Sequence, residues 1–257
     1  NYANDHEDGN GQFEQNFKFA EALTTADRVV TLRYLLSMIA SERGMVATFM
    51  PKPFADKTGS GLHLHLSLTS GGAAVFPAED DTRGLGLSET AYAFIGGILD
   101  HACALQAVIG PTVNSYKRTG AISTASGASW APRLPTYGGN GRTHYIRVPD
   151  SHRVELRGGD GSANPYLAIA AALGAGMDGI KRSTDPGGVG GGVNTRALPP
   201  TLLHAVEEFE GDAVVTGVLD AAGEGVAGYF ANVKREEFFA YHSAVSPWEI
   251  DQYLTAF

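Results

Sequence analysis

Residues 61–68 read GLHLHLSL, and no other stretch limits the fold as tightly. Strict alternation has the period of a β-strand, not of a helix. Leu62, Leu64, Leu66 and Leu68 share the face that must be buried. His63, His65 and Ser67 share the other, spaced roughly 7 Å apart along the strand. Such a strand belongs to a sheet packed on one side only. Residues 11–19, GQFEQNFKF, alternate too and predict a half-buried strand with Phe13, Gln15, Phe17 and Phe19 on one face. MVATFM predicts a short strand closed by Pro51-Lys52-Pro53, and THYIRVP and HRVELRG predict a strand pair. Helices are expected from Thr24, with Asp27 in the first turn, to Gly44, and after Ser88 up to Gly110-Pro111. Another follows the Asn164-Pro165 start, and from Pro199 onward the chain reads as helices. Residues 111–142 read as long ordered loops, and 183–198, which include DPGGVGGGVNTR, as a flexible connection. No strict βαβ rhythm and no G-x-G-x-x-G helix start is present, which argues against a dinucleotide fold and predicts an α+β antiparallel layer with a helical C-terminal part.

The 257 residues carry 19 basic and 28 acidic side chains, a formal charge of -9. That balance argues against nucleic acid or an anionic membrane as partner. The single cysteine, Cys103, suits a reducing, cytoplasmic setting and, like Met177, is expected in the core. The longest apolar stretch, Ala91 to Gly110, carries Asp100, His101 and Gln106 and reads as a core helix, not a bilayer span. The chain begins at Asn1 as though inside a strand, with no secretory leader, and is expected to be a piece of a longer polypeptide.

Four clusters carry chemistry. The His63/His65/Ser67 face is either an ordinary polar face or a metal and anion site; a His-x-His zinc hydrolase is a further possibility. In HRVELRG, Arg153, Glu155 and Arg157 face away from Val154 and Leu156. They form either a solvated charged edge or a phosphate surface beside a metal carboxylate. Glu7 and Glu14 flank a Gly-containing turn that could bring two oxygen donors to one hard cation, with Asp5 and Asp8 left in solvent. The KTGSG loop gives close backbone approach just before the histidine strand. Arg118, Arg142 and Arg147 lie in or beside the loop-rich middle.

In this order the clusters resemble the catalytic domain of glutamine synthetases. KPFADKTGSGLHLHLS is similar to that family's ATP-region signature, and NSYKR, the Asn140-x-Arg142 pair and RVELR followed by ANPYLA also match. HEDGNGQFEQNF resembles the paired-glutamate segment; this segment, MPKPF and the Trp130 region are similar to the type III group, which includes γ-glutamylmethylamide synthetases. The resemblance implies a curved antiparallel sheet flanked by helices over 1–257, with the family's N-terminal domain absent. It implies two Mg2+ or Mn2+ ions, one on Glu7 and Glu14, the other on His63 and Glu155. ATP would meet His65, Ser67, Arg153 and, by packing, Phe19. Glutamate would be held by Gly59, Arg118 and Arg157, with Thr58 in the same loop where many members have Asn. Arg142 and Arg147 would serve phosphoryl transfer. The implied protein is an ATP-dependent ligase of nitrogen metabolism. It joins glutamate to ammonia or a small amine through γ-glutamyl phosphate, in homo-oligomeric stacked rings with active sites between subunits. The alternative is a non-catalytic structural or regulatory member.

One departure bears on the acceptor. Ammonia-using members carry a flap Glu between the NSYKR arginine and the N-x-R arginine. Here residues 119–141 contain no Asp or Glu, and offer Ser123, Thr124, Ser126, Trp130 and Tyr137. Without that acid, an alkylamine resting on Trp130 or Tyr137 becomes an expected substrate, unless a neighbouring subunit supplies the missing carboxylate. DPGGVGGGVNTR does not match the family's adenylylation segment.

Overall fold

The computed structural model describes residues 3–120, 130–192 and 196–257. Its centre is a four-stranded sheet of β3 (Leu64–Leu66), β8 (Arg153–Leu156), β7 (Ile146–Asp150) and β6 (Tyr137–Gly138), in that spatial order. β3–β8 and β8–β7 are antiparallel, while the two-residue β6 joins in parallel. The α+β reading holds, and HRVELRG lies inside the sheet rather than on its edge. One sheet face packs into a core that includes Leu66, Val154, Leu156, Tyr145 and Ile146.

Behind the sheet lie α2 (Glu89–Asp100), α3 (Ala102–Ile109) and α5 (Pro165–Arg182). Ser88 caps α2, and Asn164 caps α5 with Pro165 at its start. α2 and α5 touch through glycines: a Cβ on Gly97 would stand 2.6 Å from Gly179 N and closer still to Ala175 O. The single helix expected over Ala91–Gly110 is instead two, bent by 73° at His101, where both ring nitrogens find carboxylates. Among the described residues no single helix is long and apolar enough to cross a membrane, and the bent pair is buried. α6 (Leu202–Glu210), α7 (Ala213–Asp220), α8 (Val226–His242) and α9 (Pro247–Tyr253) complete the helical C-terminal part.

Other local expectations change. The first helix, α1 (Ala22–Glu42), starts two residues before Thr24, behind Glu21 and without a side-chain cap; Gly44, at φ +66°, follows its end. MVATFM forms no strand, and the GLHLHLSL ladder is limited to three residues plus a bridge from Gly61 to Asp160. The paired-glutamate segment is a separate hairpin of β1 (Ala3–His6) and β2 (Phe13–Asn16). Away from the main core it leaves Phe13 67% and Phe19 89% exposed, so the half-buried face expected there is not formed. Met177 is likewise exposed, while Cys103 is buried. A hairpin of β4 (Thr69–Ser70) and β5 (Ala73–Ala74) follows the histidine strand. NSYKR lies on a helix, α4 (Val113–Thr119), where a loop was expected; Thr112 and Ser115 form its capping box. In the 183–198 connection the described residues form no regular element, but Gly190 N–H donates to Tyr137 O, Tyr137 N–H to Gly191 O, and Arg83 pairs with Asp185.

Candidate active site

The site begins with Glu155, a carboxylate 1% exposed at the middle of the sheet. Desolvation raises the pKa of a buried acid. Here His63, Arg157 and Arg147 overcome it and hold the Glu155 carboxyl well below the usual range. His63 Nδ1 lies 3.2 Å from Oε1 and Arg147 Nη1 2.7 Å from Oε2, while Arg157 Nη1 closes on Oε1. The strand pairing builds this set. Arg147 is the cross-strand neighbour of Glu155 on β7, and the histidine strand brings His63 in from the other side. Burial lowers the His63 pKa, and although Glu155 opposes this, Arg157 and Arg118 add to it. A neutral imidazole beside an ionised carboxylate is the donor pair a divalent metal requires.

Glu7 and Glu14 form a second pair. Each sits where the β1–β2 hairpin turns its carboxyl toward the other, so burial and then Glu14 raise the Glu7 pKa, with Arg142 opposing. Two acids that repel one another without a bound counter-charge favour a cation. The hairpin is anchored to the glycine loop: Gln12 Nε2 donates to Gly59 O (3.2 Å) and Ser60 Oγ (3.0 Å), and Thr58 Oγ1 donates to Asp8. Asp5 and Asp8 are exposed as expected, Asp8 accepting from Thr58 and Asp5 from Asn16 Nδ2 at 3.3 Å on the surface. Among the described residues no group of three or more His, Cys, Asp or Glu side chains forms a closed metal cage. Each pair is an open half-shell, with positions left for water or phosphate oxygens.

Arg118 forms the third part. It is 6% exposed and donates to Gly158 O (3.3 Å) and Arg157 O (3.2 Å). Burial lowers its pKa, with Asp160 opposing. A Cβ on Gly59 would stand 2.8 Å from Arg118 Cγ, and one on Gly61 2.8 Å from Arg118 Nη2 and 3.0 Å from His63 Nε2. At 59 a side chain would also meet Pro51 O at 2.8 Å, so only glycine fits there, while at 61 it would push the Arg118 and His63 side chains aside. The segment leading into the loop is held to α4 by Asn114, whose Oδ1 accepts from Lys52 N–H (2.7 Å) and whose Nδ2 donates to Lys52 O (3.0 Å). KPFADKTGSG and NSYKR thus clasp each other through residues 62 positions apart, a contact that no local pattern signals.

Arg142 is exposed; its carbonyl accepts from Arg157 Nε (3.2 Å) and its guanidinium lies 5.8 Å from the Trp130 ring. Arg147 is steadied by Asn140 Oδ1, 3.0 Å from its Nε. His65 and Ser67 are exposed on the expected face. Desolvation lowers the His65 pKa, Glu155 opposes this and Arg153 adds to it; the register His65↔Glu155 sets His65 and Arg153 on the same sheet face. Arg153 Nε also pairs with Asp150 at 3.1 Å. Tyr137 is fully buried and donates to Gly187 O at 2.6 Å, which removes it as an amine contact. Ser123, Thr124 and Ser126 lie outside the described residues.

The family description "Glutamine synthetase, catalytic domain" matches residues 2–253. A glutamine synthetase of Rhizobium leguminosarum bv. phaseoli is 42% identical over 262 residues, 98% of this chain and 60% of the relative. A glutamate–methylamine ligase of Methyloversatilis universalis is 41% identical over 268 residues, 100% of this chain and 60% of the relative. A solved GmaS–ADP complex superposes with a TM-score of 0.89 at 49% identity, covering 98% of this chain and 59% of that one. The chain thus spans about three-fifths of the length of these relatives. On this evidence the chain belongs to the glutamine synthetase family and matches its catalytic domain.

Proposed function

We propose that the protein is an ATP-dependent ligase that joins the side-chain carboxylate of glutamate to a small amine. The observation that carries the reading is the meeting of four distant segments. The Glu7/Glu14 pair, the His63–Glu155 pair, the Arg147/Arg157 clamp and Arg118 are linked by Gln12, Gly61 and the Arg142 carbonyl. Similarity to both glutamine synthetases and a glutamate–methylamine ligase supports the substrate class.

Mg2+ or Mn2+ fits the donor chemistry of the two half-shells, and such ions would neutralise phosphate oxygens there. The chain's own residues do the rest. Arg118, in its glycine-lined recess with Gly59 and Arg157 beside it, grips glutamate, and Thr58 lies at the rim. His65, Ser67 and Arg153 face the nucleotide, and Phe19 offers an exposed ring for the base. The glutamate side-chain oxygen attacks the γ-phosphorus, the bond to the β,γ-bridging oxygen breaks, and ADP leaves. Arg142 and Arg147 balance the charge that spreads over the equatorial oxygens, where positioning and electrostatics supply most of the catalysis. The amine nitrogen then attacks the acyl carbon of γ-glutamyl phosphate, phosphate departs, and the amide nitrogen releases its proton.

The acid-free stretch 119–141 favours a primary alkylamine at least as much as ammonia. Of the two aromatic residues considered for that contact, Trp130 alone is exposed, and one cation, Arg142, already stands over it. The assembly is proposed to be a homo-oligomer of stacked rings with shared sites. Retention of Glu7, Glu14, His63, Glu155 and Arg157 together weighs against a non-catalytic member. The test is phosphate release by the full-length protein. Release should require ATP, glutamate and amine together, with methylamine at least matching ammonium. No release overturns the ligase reading, and a strong ammonium preference overturns the alkylamine acceptor.

A further inference from the structure

Asp160 is a buried acid that none of the steps above uses. It is 1% exposed and stands on the turn after β8. Its Oδ1 accepts from Ser162 N–H (2.9 Å) and Ser162 Oγ–H (2.5 Å), and its own N–H donates to Ile109 O at the end of α3 (3.0 Å). It bridges to Gly61, and the neighbouring Leu62 N–H donates to Gly159 O (3.0 Å). Its Oδ2, fully buried, has no hydrogen-bond partner among the described residues, nor has Nη2 of Arg33 on α1.

The guanidiniums that feel this carboxylate are Arg118 and Arg33. Neither is close enough for a hydrogen-bonded pair, so the interaction runs through a protein interior of low polarity, where it is weakly screened. Arg118 is otherwise satisfied by two neutral carbonyls, of Arg157 and Gly158, on the same turn. Gly61 in turn is the spacer between Arg118 Nη2 and His63 Nε2. The turn that carries Asp160 thus supplies the carbonyls that hold Arg118 and bridges to the glycine between Arg118 and His63, with a buried carboxylate beside them.

We propose that Asp160 is a positioning residue for glutamate: its buried carboxylate, anchored on the turn whose carbonyls hold Arg118, keeps that guanidinium in place to take the substrate carboxylate. The inference rests on the ligase reading above. Misplacing a binding group by about 1 Å costs on the order of a hundredfold. D160N keeps the shape and an acceptor for Ser162 but removes the charge. In the full-length protein it should raise the glutamate KM on the order of tenfold or more, with the ATP KM within about twofold. S162A is a gentler variant that keeps the charge and loosens its anchor. It should raise the glutamate KM by a few-fold, again selectively, and decides the matter if D160N fails to fold. Equal shifts in both KM values, or none, overturn the proposal, because a merely structural lesion has no reason to choose glutamate. Absence of ATP- and glutamate-dependent phosphate release in the unmodified protein overturns the ligase reading instead.

Discussion

The joint at His101 makes a prediction that combines two titrations. His101 Nδ1 lies 2.6 Å from Asp212 Oδ2 and Nε2 3.1 Å from Asp178 Oδ2, so the ring donates from both nitrogens only when protonated. Arg182 extends the network to Asp178 (2.5 Å) and Asp100 (2.7 Å). Burial opposes the imidazolium, yet the hydrogen bonds from Asp212 and Asp178 raise the His101 pKa. Burial also opposes the two carboxylates, and their bonds with His101 lower both. A raised histidine contributes fully below its unfolded pKa of about 6.5 and loses that contribution as pH climbs through the folded value. The lowered acids contribute above about pH 4 and lose it as pH falls through their folded values. The stability difference between the natural chain and His101→Gln should therefore be greatest between about pH 4 and 6.5. Stripping a buried charge of its partner costs about 3–5 kcal/mol. Asp178 keeps Arg182, and Asp212 keeps the N–H groups of Val214 and Val215, so about 2–3 kcal/mol is expected here. At roughly 2–4 °C per kcal/mol for a chain of this size, that is about 5–10 °C in Tm. Urea titrations of both proteins at pH 5.5 and pH 9 measure it. A difference that stays constant, or grows toward pH 9, refutes the reasoning.

Gly97→Ala forces a methyl onto Ala175 O and Gly179 across the α2–α5 contact. Overpacking of about 1–3 kcal/mol should outweigh a helix-propensity gain of about 1 kcal/mol, and a Tm that rises instead contradicts the crossing. Glu155→Gln leaves Arg147 and Arg157 without their shared counter-charge. It should cost about 3 kcal/mol at pH 7, a gap that starts to narrow below about pH 4, where the unfolded carboxyl protonates, and shrinks further as pH falls toward the much lower folded value; chemical denaturation across pH reads it. Gln12→Ala cuts the tie between the Glu7/Glu14 hairpin and the glycine loop. Stability should change by only about 1 kcal/mol while the Mn2+ concentration for half-maximal activity rises; an unchanged requirement shows that the tie is dispensable.

What could be seen in the sequence followed from periodicity and caps. Leu66, Val154 and Leu156 fell on the packed face because alternation fixes sidedness once a strand is recognised. Ser88, Asn164-Pro165 and Gly44 marked helix ends through local hydrogen bonds and backbone freedom, which act without tertiary context. The α4 helix was hidden because seven residues of mixed polarity give no amphipathic signal, although Thr112 and Ser115 bore its capping box. The bend at His101 depends on Asp178 and Asp212, 77 and 111 residues away. Pairing Glu7 with Glu14 was legible from the turn between them. The clamp of Arg147 on Glu155 was not, because it depends on the β7–β8 register, and Asp160 is silent in sequence because, apart from Ser162, its partners are backbone groups and distant charges.

For the ligase chemistry to run, Glu7, Glu14, His63 and Glu155 must line one cavity beside the nucleotide. Crystals of the full-length protein grown with Mn2+ and a non-hydrolysable ATP analogue, measured at the manganese absorption edge, test this directly. Two anomalous peaks, one between Glu7 and Glu14 and one at His63 and Glu155, both within reach of phosphate oxygens, are the predicted result. Manganese bound elsewhere, or nucleotide bound away from these side chains, contradicts it.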